Sequence, residues 1–518
     1  MSVKPDKTYD IVIVGSGMGG LACGYILAKN GYSVCILEKN PQIGGNLQIF
    51  SRKKTIFDTG VHYLGGLDEG QNLHQFFRYF DILDKLKMKR MDNDGFDRIQ
   101  FAGEDKFYRY AQGYDNFIRT LVADFPEEEK AIITYCDKIR EICSKFPMYN
   151  IEDSDEFYFD NDILYMNARD YINSLTDNPK LQRVLAGNIM LYAGEGEKSP
   201  FYVHALVVNS YVESSWRIID GGAHIGIQMT RNIRKLGGDL FKRADVVGAD
   251  YEGDRIKCVN LADGRKIYGK NYISNVHPLA TTQIFGEDKF RKAYISRLKS
   301  LESTVSTFSV YAVMKPESFK YMNYNIYHSR TTDVWNMVDY QEQDWPNGFM
   351  LSTPANSKSD EWADGVTIMC YMKFDEMKPW LKTYNTVGEP DERGADYEAF
   401  KTQKAKEVID YVEEVIPGFK AAIDEYYTST PLTYRDYINN VDGSLYGIMK
   451  DHKNPLKTFI NPKTKIPNLF LTGQNINLHG ILGVAVSSFV TCFEFVDKSK
   501  LIRDVKDANA IPIEKSNH

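Results

Sequence analysis

Cysteine is scarce in this sequence, with seven in 518 residues. Cys23, Cys35, Cys136, Cys143, Cys258, Cys370 and Cys492 are scattered, odd in number and without C-x-x-C spacing. That argues against a disulfide framework and for a reducing, cytoplasmic compartment. A basic surplus is also missing. The chain carries 63 Lys+Arg against 70 Asp+Glu, a net charge of −7, so nucleic acid is not expected as a partner. Its nine histidines form no ligand pattern with acids or cysteines, and no metal is expected. No uninterrupted apolar run reaches the ~18 residues that a spanning helix needs. The nearest stretches, 11–28 and 480–496, are broken by glycine, serine, lysine or glutamate. The polar segment 1–9 has no signal-peptide pattern. Peripheral contact with a membrane surface stays open.

What is present is more specific. The run Asp10-Ile-Val-Ile-Val-Gly15-Ser-Gly17-Met18-Gly19-Gly20-Leu21 leads from an apolar strand through a G-x-G-x-x-G turn into a helical pattern. A second strand, Val34-Cys-Ile-Leu-Glu38, ends in an acid. Gly15 permits the tight turn, Gly17 lets backbone approach a pyrophosphate, and Gly20 lets helix and strand pack closely. Glu38 can accept from a ribose hydroxyl. The diphosphate would sit at the helix N-terminus, where free N–H groups and the dipole favour negative charge. Strand, glycines, helix and spaced acid together predict a dinucleotide site.

At 518 residues, two or three domains are expected. Residues 1–65 read β–α–β, then a loop at Ile43-Gly44-Gly45-Asn46 and a short alternating segment. From about 67 to 210 the pattern reads as largely helical and mixed, with three- and four-residue apolar spacing at 68–89, 114–146 and 168–186. Residues 153–161 read as an acidic, aromatic loop. A helix over 225–236 stops at Gly237-Gly238, and strands follow at 244–251, 256–261 and 266–275. Residues 300–445 read as strand-rich and aromatic, with one helix at 397–415. The end returns to a strand at 468–472 and a small-residue helix start at Gly480. Nucleotide-type segments at both ends and in the middle predict interleaved domains. We expect nucleotide-binding parts at 1–66, 214–298 and 456–518, and cap parts at 67–213 and 299–455.

Several blocks carry a resemblance. Glu38-Lys39 followed by Gly44-Gly45 resembles the FAD version of the fold. The block Leu471-Thr472-Gly473-Gln474-Asn475, with Gly480-Ile481-Leu482-Gly483, is similar to the closing flavin motif of the phytoene desaturase and carotenoid isomerase superfamily. That superfamily shares its architecture with flavin amine oxidases. Phe57-Asp58-Thr59-Gly60-Val61-His62-Tyr63-Leu64-Gly65 looks like the signature of all-trans-retinol 13,14-reductases, the retinol saturases. So does Ser199-Pro200-Phe201-Tyr202-Val203-His204-Ala205-Leu206. Departures exist: Asn46 stands where many desaturases place arginine, and Asn475 where many have aspartate.

The resemblance implies an α/β fold in which a Rossmann-type FAD-binding domain is interleaved with an α+β substrate (cap) domain. It implies FAD, held at the diphosphate by Gly15, Gly17, Met18, Gly19 and Gly20 and at the ribose by Glu38 and Lys39. Gly45 and Asn46 would lie along the diphosphate and ribityl chain. Gly60, Val61 and His62 would border the isoalloxazine, and Val246 would present backbone to adenine. Gly473 and Gln474 would bind the diphosphate–ribityl region, with Ile481 and Leu482 near the pyrimidine end. The implied activity is oxidoreduction at C=C or C–C bonds of a lipophilic polyene or isoprenoid, most like a retinol saturase. Desaturation and cis–trans isomerisation are alternatives. Amine oxidation and a non-catalytic prenyl-binding role are more remote ones.

Such chemistry needs a proton moved beside the hydride. His62 is the first candidate, because imidazole titrates near neutrality, and Tyr63 the second. His479 either lines the flavin site or is a solvated loop residue. His204, on an apolar helix pattern, reads as a satisfied core histidine. Trp335, Trp345, Trp362 and Trp380 either wall an apolar tunnel or anchor packing. With one dinucleotide fingerprint, electrons would come from or go to an outside partner, such as a transiently bound NAD(P)H.

Overall fold

The computed structural model describes residues 7–154, 161–331 and 333–511. Residues 155–160, most of the expected loop over 153–161, lie outside the described residues. Two seven-stranded sheets organise the chain.

The first sheet is built on Thr8–Val14. This strand pairs in parallel with Val34–Glu38 on one side and with Lys266–Ser274 on the other. Asp239–Lys242 extends the sheet beyond Val34–Glu38. Leu469–Leu471 joins Lys266–Ser274 in parallel, and Arg255–Leu261 and Val246–Glu252 add an antiparallel edge. The parallel strands are apolar along their length because helices cover both faces. The helix Met18–Lys29 is buried from Met18 to Ala28. It packs between the sheet and the helices Ala223–Lys235 and Gly480–Cys492. Leu21, Ile26, Ile225, Met229, Val484 and Phe489 share one core with the sheet. The chain leaves Thr8–Val14 toward Val34–Glu38 on one side, and after Lys266–Ser274 on the other side it continues outward to Leu469–Leu471, so the carboxyl ends of these strands open a crevice at Thr8–Val14. Ligands of open α/β sheets bind at such a reversal.

The second sheet runs Ile423–Ser429, Ser306–Met314, Gly365–Met372, Gly348–Ser352, Asn325–Ser329, Asp97–Phe101, Tyr108–Tyr110. Its pairs are antiparallel except Asn325–Ser329 with Asp97–Phe101. Here the helical expectation for 67–210 needs correction. Two of this sheet's strands come from that block, and one of them, Asp97–Phe101, pairs with chain more than 200 residues away. The apolar run over 68–89 is helical only at Asn72–Tyr79, ends with Asp81 at φ 55°, and finishes in a strand at Met88–Arg90. The run over 114–146 is two helices, Tyr114–Asp124 and Glu129–Ser144, broken at Pro126. Proline has no N–H to continue a helix ladder.

The architecture is thus a Rossmann-type domain interleaved with an α+β domain that folds over its crevice. Among the described residues, no helix is long and apolar enough to cross a membrane.

Buried Asp58 ties the strand Thr55–Asp58 to the start of the helix Ala223–Lys235. Its Oδ1 accepts from the backbone N–H of Gly222 at 2.7 Å. Burial raises its carboxyl from the ordinary range to about 7. Because the folded value lies above the unfolded one, the acid's contribution to stability is present below about pH 4 and lost as pH rises through about 7. Asp58→Asn keeps the acceptor without the charge. It is expected to melt above the parent at pH 8, by roughly 4 °C for a cost of about 4 kcal/mol. The gain should vanish below pH 4. A pH series of melting curves checks the sign; a variant less stable than the parent at pH 8 contradicts it.

Candidate active site

The crevice encloses a cavity of about 280 Å3 that is partly open to solvent. One end of the cavity is lined by the glycine turn and the carboxyl ends of the sheet. The other is lined by cap residues.

At the sheet end, Gly15 adopts φ +94° and its N–H bonds Leu37 O at 2.8 Å. Helix Met18–Lys29 begins with Gly17 as N-cap, with no side-chain cap and no acid in its first turn. Its free N–H groups therefore face the cavity where Gly17, Met18 and Gly19 line it. Helix Gly480–Cys492 repeats this arrangement: His479 makes no side-chain cap, and Gly480 and Ile481 border the same cavity. Close backbone approach explains the glycines between. A Cβ on Gly45 would lie 3.1 Å from Gly17 Cα, and one on Gly19 would lie 3.0 Å from Gly473 Cα.

Buried Glu38 ends its strand and stitches this end together. Its Oε2 accepts from Ser16 N at 3.0 Å and Ser16 Oγ at 2.5 Å, and its Oε1 accepts from Asn40 N at 2.8 Å. A carboxylate offers about four lone-pair sites. Three are used, which leaves one for a ribose hydroxyl. Lys39 donates to Asp436 O at 2.7 Å, and burial lowers its pKa.

The cavity thus brings together Gly15, Gly17, Met18, Gly19, Glu38, Lys39, Gly45, Asn46, Gly60, Val61, His62, Tyr63, Val246, Gly473, Gln474 and Ile481. Two expected residues are elsewhere. Gly20 sits at the helix–strand contact, where an added Cβ would lie 2.0 Å from Gly15 O. Leu482 packs against the cores.

The cap end is apolar and tyrosine-rich. Tyr327, Met350 and Met369 stand side by side on adjacent strands, paired Tyr327 to Met350 and Met350 to Met369. Tyr211, Tyr434 and Tyr446 border the same space. The tryptophans do not line it. Trp335 packs beside His204, Trp345 Nε1 donates to Tyr371 O, and Trp380 Nε1 donates to Asp396. They are packing anchors.

His62 borders the cavity, and its Nε2 has no protein partner. Burial, with the nearby Arg217 charge, lowers its pKa to about 4. At neutral pH His62 is uncharged and suited to a hydrogen bond rather than to holding a spare proton. His204 is held between the hydroxyls of Tyr135 at 2.7 Å and Tyr192 at 2.8 Å, a satisfied core histidine. His479 stacks on Tyr446 with centroids 4.4 Å apart, and burial lowers it to about 4. Asn275 was not foreseen. It follows the strand Lys266–Ser274, and its side chain fits against both Gly17 and Gly19. Its place at the carboxyl end of a parallel strand is the signal that would have found it.

Fold and site define the class: an α/β protein with a Rossmann-type domain and a cap over its crevice. Comparisons place it further. Residues 13–80 match the NAD(P)-binding Rossmann-like domain family. All-trans-retinol 13,14-reductase of Rattus norvegicus is 26% identical, over 98% of this chain and 88% of that protein. The chloroplastic prolycopene isomerase of Daucus carota is 23% identical, over 93% and 79%. A redesigned putrescine oxidase shares the fold with a TM-score of 0.61 and 14% identity, over 96% of this chain and 99% of that one. The chain thus resembles all-trans-retinol 13,14-reductases and prolycopene isomerases along nearly its whole length.

Proposed function

We propose that this protein is an FAD-dependent oxidoreductase acting on the C=C or C–C bonds of a lipophilic polyene or isoprenoid, most like a retinol saturase. The observation that carries this reading is that a dinucleotide cradle and an apolar, tyrosine-lined chamber form one continuous cavity. FAD suits the cradle. Two uncapped helix starts face the space where a diphosphate and a reduced ring would place negative charge. Gly45, Gly60 and Gly473 leave room for backbone approach, and Glu38 keeps a free acceptor site for ribose. Bound flavin supplies hydride chemistry at N5.

The chain's own groups do the rest. Val61 and His62 border the ring's expected place, with neutral His62 offering a hydrogen bond. Met350 and Met369 give an adaptable apolar floor and exclude water. The division into nucleotide parts (1–66, 214–298, 456–518) and cap parts (67–213, 299–455) is part of the same reading. So is an outside electron partner such as NAD(P)H, and peripheral contact with a membrane that stores the substrate.

The purified protein is expected to be yellow, with an FAD spectrum. After anaerobic reduction it should shorten the conjugation of retinol or a carotenoid, with a product mass gain of two hydrogens. Mass loss would indicate desaturation. An unchanged mass with altered geometry would indicate isomerisation, which the similarity to a prolycopene isomerase favours as the second reading. A colourless protein that cannot bind added FAD would overturn the proposal.

A further inference from the structure

Behind the cap end of the cavity lies a fully buried carboxyl that no ion pair explains. Asp97 is 0% exposed, on the strand Asp97–Phe101. Among the described residues, no lysine, arginine or histidine pairs with it. Its Oδ1 accepts from Asn325 Nδ2 at 2.9 Å. Its Oδ2 accepts from Tyr63 O–H at 2.9 Å and Asn188 Nδ2 at 3.3 Å. The Tyr63 oxygen lies 2.7 Å from the Tyr327 oxygen. Both tyrosines line the cavity. Arg217, itself buried, reaches Asp97 only through Asn325, whose Oδ1 accepts from Nη2 at 2.7 Å. Isolating a carboxyl in this way costs several kcal/mol, and an apolar residue would pack there more cheaply.

We propose that Asp97, Tyr63 and Tyr327 form a proton-delivery chain that opens on the cavity at Tyr327, with Asp97 as its store. This rests on the reading of the cavity as a flavin-dependent C=C site. The hydrogen-bond arithmetic gives the chain two directions. With Asp97 ionised, Tyr63 donates to it, and the Tyr63 oxygen accepts from Tyr327. Both hydroxyl protons then point inward. With Asp97 protonated, the carboxyl O–H donates to Tyr63, Tyr63 donates to Tyr327, and the Tyr327 proton is free to point into the cavity. Only the second state offers a proton to a substrate.

The step balances as follows. Hydride from bound reduced flavin supplies the electron pair at one alkene carbon. The Tyr327 O–H bond breaks, and its proton forms the C–H bond at the neighbouring carbon. Tyr63 passes its proton to Tyr327, and Asp97 passes its own to Tyr63. The remaining carboxylate is held by the amides of Asn325 and Asn188. After product leaves, a proton from bulk solvent, relayed by water entering the cavity and back through Tyr327 and Tyr63, reloads Asp97.

Ionisation supports the geometry. Burial raises Asp97 to about 6, partly offset by the bonds from Asn325, Tyr63 and Asn188 and by the more distant Arg217 charge. The other titratable groups facing it are Tyr63, Tyr327, Tyr110 and Tyr211, all raised by burial and neutral in this range. His62, at about 4, has no proton to give near neutrality.

Two arms test this on the flavin-loaded protein, after spectra and melting curves show that each variant folds and holds cofactor. The first needs no substrate. Infrared difference spectra across pH 5–8, taken in an Asp58→Asn background to remove the buried carboxyl that titrates near 7, should show a protonated-carboxyl band lost as pH rises through about 6. A tyrosine C–O band should shift with it. Asp97→Asn should lose both, and Tyr63→Phe should keep the carboxyl band and lose the coupled tyrosine shift. No such band, or one retained in Asp97→Asn, overturns the proposal whatever the substrate is. The second arm uses retinol or a carotenoid turned over by the parent. Its rate should fall as pH rises through about 6. Tyr327→Phe should lose about 100-fold in kcat with little change in KM, and Asp97→Asn should be slow and flat with pH. A parent-like pH profile in Asp97→Asn overturns the proposal. If no polyene turns over, the functional reading fails, while the infrared arm still decides the proton chain.

Discussion

Gly20→Ala is expected to cost the protein its cofactor. The added Cβ would lie 2.0 Å from Gly15 O and 3.2 Å from Gly15 C, and both are backbone atoms. No side chain can swing aside. Gly15 is itself committed to φ +94° and to its bond with Leu37 O. The helix start must therefore move away from the strand, and the N–H groups of Gly17, Met18 and Gly19 move with it. Overpacking of this kind costs about 1–3 kcal/mol. Misplaced diphosphate donors add to it, so affinity for FAD should fall about 100-fold. Titrating FAD into the stripped variant measures this. Gly31→Ala is the control: its φ is +87°, but nothing lies within 4 Å of the new Cβ, so it should lose stability without losing flavin. Parent-like FAD binding by Gly20→Ala would contradict the role given to this contact.

Glu38→Ala should lower stability even with no cofactor present. A residue that only touched ribose would not behave so. The variant strands the N–H groups of Ser16 and Asn40 and the Ser16 hydroxyl, all buried. Unsatisfied buried donors cost about 1–3 kcal/mol each, so with three of them a loss of at least about 3 kcal/mol is expected. Glu38→Gln should rescue little, because both carboxylate oxygens accept and an amide nitrogen would face a donor. Denaturant unfolding of the stripped proteins checks this. Equal stability of Glu38→Ala and the parent would assign Glu38 to the cofactor alone.

These two residues show how much of the site was legible beforehand. The strand, turn, helix and acid of 10–38 are local chemistry, readable because each part occupies a fixed offset. The same holds for the second glycine pair, for 57–65 and for the closing Gly473 and Gly480 blocks. Sixteen of the expected binding and catalytic positions border one cavity. Gly20 serves the turn from behind, as its packing role implied, and Leu482 turns to the core.

The cap was less legible. The block 67–210 carries apolar residues at helical spacing, and much of it is helical. Asp97–Phe101 is five residues long and becomes a strand because Asn325–Ser329 lies beside it. Strand pairing across more than 200 residues leaves no local trace. The tryptophans illustrate the same limit: composition supplied bulky apolar groups, and packing put them outside the cavity.

The chain's glycines and its spaced acid thus determined the strand–turn–helix of a Rossmann-type domain and which backbone lines its crevice, since φ freedom and N–H exposure are properties of short segments. Tertiary structure decided where the protons are. His62 borders the cavity, yet burial removes its charge, while Asp97, with no motif around it, is lifted toward neutrality and bonded to Tyr63, which bonds Tyr327 in turn. A protonation state depends on the dielectric surroundings and on partners from distant segments, and only the folded chain brings those together.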